Sequence, residues 1–150
     1  MEMLTVAVEL RDGPVIVVLH TQEQIPAAGW AEYIRMTTEH GKRQPAGKPC
    51  RGMVLTDGAA PNSKQRAEFA ALMATFNPRP LGAVITESTL VRGAVTAIGW
   101  VMDVPRAFAP AKFDAALTHL QIPRDEWPQI RAALAEALKR IDCQVAKRVL

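Results

Sequence analysis

The 150-residue sequence predicts an α/β fold: one domain on a mixed, mostly parallel sheet, with an N-terminal hairpin and flanking helices. Three observations predict it. Leu4, Val6, Val8 and Leu10 alternate with Thr5, Ala7, Glu9 and Arg11, which marks a strand with one apolar face. Asp12-Gly13-Pro14 then turns the chain into Val15-Ile16-Val17-Val18-Leu19, an unbroken apolar run of the kind covered on both faces. Two further short apolar runs, Met53-Val54-Leu55-Thr56 and Ala83-Val84-Ile85-Thr86, alternate with helical patterns, as parallel strands joined by crossover helices do.

The helices follow in order. Ile25-Pro26 breaks the chain, and Trp30, Tyr33, Ile34 and Thr37 recur at helical spacing between about Ala28 and His40. Gly41 is the expected stop, with His40, Lys42 and Arg43 near the negative end of the helix dipole. Asn62 followed by Gln65 has the form of a capping box, and Phe69, Leu72, Met73 and Phe76 make one core-facing stripe behind it. Ser88 caps a third helix, from about Thr89 to Val101, in which Leu90, Val91, Ala94, Val95, Ala97, Ile98, Trp100 and Val101 leave little polar face beyond Arg92 and Thr96. A helix apolar all round is buried or covers a partner. Arg106-Ala107-Phe108 reads as a short last strand. Pro110 opens a helix with Phe113, Leu117 and Leu120 on its buried side. After Pro123, Asp125-Glu126 begin a final helix whose stripe is Trp127, Ile130, Leu134, Leu138, Ile141 and Val145. That helix packs either on its own sheet or on a neighbour. In the second case, deleting residues 124–150 would leave a folded monomer.

Composition narrows the function classes. Hydrophobic content of 49% and charged content of 22% are ordinary for a folded domain, and this length buries a core without disulfides or metal. The net charge of +3 is small and its lysines and arginines are scattered, which argues against nucleic acid as a partner. Cys50, at the opening of a strand, and Cys143, in a helix, have no metal-ligand spacing and read as small buried residues. His40 and His119 have no second ligand at i+3 or i+4, so neither a metal nor any other cofactor is expected. No run approaches ~20 apolar residues, and Met1-Glu2-Met3-Leu4 lacks the basic-then-apolar pattern of a leader. The expectation is a cytoplasmic protein without a membrane partner.

In alternating strand–helix folds, sites lie at the carboxyl ends of the strands. The segment Val54-Leu55-Thr56-Asp57-Gly58-Ala59-Ala60-Pro61-Asn62-Ser63 is such an end, running from a buried strand to a capped helix start. His20, Asp57, Glu87 and Ser88 all fall at those ends and define an alternative pocket there. A histidine, an acid and a hydroxyl could make a nucleophilic site. However, no Gly-x-Ser-x-Gly elbow accompanies them.

The hairpin, the Trp30 helix, the strand ending at Asp57 and the helix opening at Asn62-Ser63 fall in the order of a known family. Over roughly residues 4–122 the chain resembles the STAS domain of bacterial anti-anti-sigma factors, with residues 124–148 as an added helix. The resemblance implies a regulatory domain that docks a protein partner and is switched by phosphorylation of a serine at the corresponding helix start. Ser63 is the counterpart, although Asn62 stands in place of the family's acid, and its second serine and glycine are absent. The reading preferred from the sequence is a non-enzymatic interaction module. It would dock a protein partner, or itself, around the helix starting at Asn62, with Asp57, Asn62, Ser63, Arg92 and Trp100 as contact or regulatory residues. The alternative is a lipid or nucleotide site at the strand ends. A third reading is a hydrolase using His20, Asp57 and Ser88.

Overall fold

The computed structural model describes residues 1–58, 60–93 and 106–150. Five strands pair in chain order: β1 (Met3–Leu10), β2 (Gly13–His20), β3 (Arg51–Thr56), β4 (Leu81–Ile85) and β5 (Arg106–Phe108). β1 and β2 are antiparallel and the remaining neighbours are parallel, so the mixed, mostly parallel sheet expected from the sequence is present. All eight residues of β2 are buried, as its unbroken apolar run requires.

This strand order dictates where helices go. Each crossover steps to the next position in the same direction, and right-handed crossovers of that kind lay their helices on one face. On that face α1 (Ala27–Lys42) sets Trp30 and Tyr33 against Ile16 and Val18. α2 (Ser63–Met73) brings Phe69 to the same cluster, and Val91, in a helical stretch at residues 89–93, packs on Val84. The other face would be bare without the C-terminal third of the chain. There α3 (Phe113–His119), α4 (Trp127–Ala137) and α5 (Gln144–Arg148) cover it. Val15, Val17, Leu19, Met53, Leu55 and Ile85 from the strands meet Phe113, Leu117, Leu120, Ile130, Leu134 and Val145 in the larger core cluster. The C-terminal helices therefore pack on their own sheet and form half of its core, rather than an addition to it.

Arg51 ties the two halves at the opposite end. Its buried guanidinium donates to the carbonyls of Gly13, at 3.0 Å, and Gln121. Glu126, also buried, accepts from the Arg11 backbone N–H at 2.9 Å.

Several local expectations change. The single final helix is two helices. α4 ends in tightened bonds, with Arg140 N–H donating to the Ala137 carbonyl at 2.9 Å, and the chain is extended at Cys143 before α5 begins. The periodic stripe survives this break, because Ile141 and Val145 remain buried. Cys143 precedes a helix instead of lying within one, and Cys50 precedes β3. α1 runs through Gly41 to Lys42 without a left-handed turn. Glycine there gives room to the Phe76 ring, which a Cβ would force to turn aside. The stripe Phe69, Leu72 and Met73 is only half-buried, and no residue of α2 is fully buried. Residues 94–101 of the expected third helix, Trp100 included, lie outside the described residues.

Candidate functional site

The carboxyl ends of β3 and β4 are built alike. In Thr56-Asp57-Gly58 the threonine Oγ1 accepts the Gly58 N–H at 3.2 Å, and in Thr86-Glu87-Ser88 it accepts the Ser88 N–H at 3.2 Å. Each side-chain turn leaves an acid at its corner. Both acids meet the chain's own C-terminus. The Asp57 carboxylate accepts the backbone N–H groups of Gln144 and Val145, each at 2.8 Å, and so caps α5. Glu87 accepts from the Arg148 guanidinium at 2.7 Å. Between them Val145, Ala146 and Val149 are buried. Cys143 places its Sγ 3.6 Å from the Leu55 carbonyl oxygen and 3.7 Å from Asp57 Oδ1. Burial pushes this thiol up to about 11, which keeps it protonated as a donor. The strand-end edge is thus covered by residues 143–149.

Strand alternation separates the other members of the expected pocket. His20 and Thr56 are register partners on the α1/α2 face, whereas Asp57, one residue on, turns to the opposite face. His20 Nδ1 lies 3.4 Å from Thr56 Oγ1, and its buried Nε2 has no hydrogen-bond partner. Ser88 Oγ accepts the Val91 N–H at 3.2 Å, which makes Ser88 the cap expected of it. Arg92 reaches the Thr86 carbonyl at 3.4 Å. Among the described residues, His20 and Asp57 are joined through backbone alone, Asp57 N–H to the His20 carbonyl at 2.9 Å, and no side-chain hydrogen bond joins the His20 ring to Asp57 or Ser88, so a nucleophile–base–acid relay is not assembled. No group of three or more His, Cys, Asp or Glu among them could hold a metal.

His20 carries a pH signature. Burial lowers its pKa, and the Asp57 charge opposes this only in part. An unfolded histidine titrates near 6.5. As the pH falls below that value the unfolded chain takes up the proton first, so stability drops between there and the lower, folded value. The expected result is a urea midpoint that declines on this acid limb and is flattened there by His20→Gln. An identical acid limb in the variant would assign it to carboxylates instead.

The helix start at Asn62 is as its sequence indicates. Asn62 Oδ1 accepts the Gln65 N–H at 2.8 Å, and Gln65 Oε1 accepts the Asn62 N–H at 3.0 Å. Ser63 is exposed, and its Oγ accepts from the Arg66 guanidinium at 3.2 Å. One side-chain bond, Trp30 Nε1–H to Glu68 at 3.0 Å, ties α2 to α1. Asp57 faces away from this surface.

A groove that the sequence did not reveal lies beside α2, at the amino ends of the parallel strands. It measures about 620 Å³ including its open mouth. The available signal was a glycine within each of two strand runs, Gly52 and Gly82, which commonly marks a close approach or an open floor.

Comparison with models of known protein families, with curated proteins and with solved structures gives no match. No helix among the described residues is long and apolar enough to cross a membrane.

Proposed function

We propose that this chain is a non-catalytic interaction module of STAS-like type, which docks a protein partner through the outer face of the helix starting at Asn62. The observation that carries the reading is the exposure of α2: none of its eleven residues is fully buried. Ala67, Ala71 and the following Ala74 are exposed, so small side chains leave the helix backbone open to close approach. Ser63 and Lys64 at its first turn are exposed as well. A phosphate on Ser63 would meet the Arg66 guanidinium and the helix N-terminus, which favours a switch by added charge.

The test places a photo-crosslinking residue at Ala71 and, as a control, at Glu136 on the opposite side of the sheet. A partner captured at position 71 alone, and lost with Ala67→Arg or Ser63→Glu, supports the reading. Capture equally from both positions, or from neither, overturns it. Capture that survives Ser63→Glu but not Ala67→Arg retains the surface and removes the switch.

A further inference from the structure

The groove has the attributes of a ligand site in its own right, independent of any partner on the outer face of α2. Alternation puts residues 52 and 54 of β3, and 82 and 84 of β4, on the α1/α2 face. Gly52 and Gly82 are register partners, so two adjacent positions of the floor carry no side chain. A Cβ on Gly52 would find nothing nearer than the Ile16 carbonyl oxygen, at 3.8 Å. Phe69 and Met73 of α2, with Phe76, line one side, and Tyr33 and Thr37 of α1 line the other.

The polar groups decide which molecule fits. Thr37 is 8% exposed, and its Oγ1 has no well-formed hydrogen bond, its one polar neighbour being the Tyr33 hydroxyl. Tyr33, one turn earlier, is buried, and burial raises its pKa, so it too is a neutral hydroxyl. Among the described residues, no aspartate or glutamate lines the groove. Among the described lining residues the one arginine is Arg51, whose side chain alternation directs to the opposite face of the sheet, where it donates to the carbonyls of Gly13 and Gln121. The wall ends at His40 and Gly41, the negative end of the α1 dipole, where a buried anion would be disfavoured. His40 Nδ1 already accepts from the Arg43 guanidinium at 3.3 Å. A full charge of either sign would therefore be buried without a matching partner, whereas one neutral oxygen would pair with the weakly bonded Thr37 hydroxyl.

We propose that this groove binds a neutral, mainly apolar small molecule with a single hydroxyl or carbonyl group. The tail lies on the Gly52–Gly82 floor against Phe69 and Phe76, and the oxygen pairs with Thr37 Oγ1.

Binding is measured on the full chain with Nile red as the reporter, displaced by decanol, decanoate or decylamine. Decanol is expected to displace the dye at concentrations at least about tenfold below the two charged analogues. Gly52→Val places its methyls in the open floor and suits a strand, so its melting temperature should hold while dye binding is lost. Thr37→Val keeps the shape and removes the hydroxyl, which should weaken decanol by about tenfold and leave Nile red nearly unchanged. Cys50 lines the groove and is half-exposed, so bound decanol should also slow its alkylation. Decanoate binding as tightly as decanol, dye binding unchanged in a folded Gly52→Val, or no dye binding by the wild type would each overturn the proposal. None of these outcomes bears on crosslinking from Ala71.

Discussion

Leu134→Ala should destabilise the protein by about 2–5 kcal/mol, a large share of the roughly 5–15 kcal/mol that holds a domain of this kind together. Leu134 lies in the middle of α4, is fully buried, and packs in the cluster that joins the C-terminal helices to the inner strands. Removing its three outer carbons both loses transfer free energy and leaves a cavity that rigid strands on one side cannot collapse to fill. A urea titration reads the loss as a lower midpoint with an unchanged slope. The extreme form of the experiment ends the chain at residue 123. This removes Ile130, Leu134, Ile141 and Val145 together and exposes one face of the sheet, so no cooperative transition should remain. A folded monomer from that truncation would mean that the C-terminal helices are not part of the core.

Asp57→Ala should cost about 2–3 kcal/mol, although Asp57 lies at the surface end of a strand. A single capping acceptor is worth about 0.5–2 kcal/mol, and a charged acceptor gives the stronger bonds. Asp57 receives two backbone N–H groups at 2.8 Å and the Cys143 thiol as well. Without it, these donors at the start of α5 lose their partner close to a buried segment. Asp57→Asn retains one acceptor oxygen and should lose about half as much. Because α5 shields Cys143, Asp57→Ala should also speed alkylation of that thiol under native conditions. A midpoint and an alkylation rate both equal to wild type would show that Val145, Ala146 and Val149 hold the C-terminus without the carboxylate.

The strands were legible because their apolar patterns answer local questions. Alternation in Leu4–Leu10 and continuity in Val15–Leu19 report how many faces are covered, and the structure buries Leu4, Val8 and all of Val15–Leu19, with Val6 and Leu10 half-buried against the same core. The capping box at Asn62 and Gln65 was legible for the same reason, since both halves lie within one helical turn. The break between α4 and α5 was not. Ile141 and Val145 keep helical spacing on either side of it, while its cause, Asp57, lies more than eighty residues away. The strand-end cluster also misled for a geometric reason. His20 and Asp57 reach the same edge of the sheet, but one residue of register points their side chains to opposite faces.

The sequence by itself determined the order and type of the strands, the hairpin, and the helix start at Asn62, because period, turn chemistry and capping act over a few residues. Only the tertiary structure decided three other features. The C-terminal helices complete the core, the strand-end acids are engaged by the C-terminus, and an apolar groove opens where Gly52 and Gly82 meet. Each depends on which face of the sheet a distant segment covers. That choice follows from the handedness of the crossovers and the area left bare, neither of which any short stretch of sequence records.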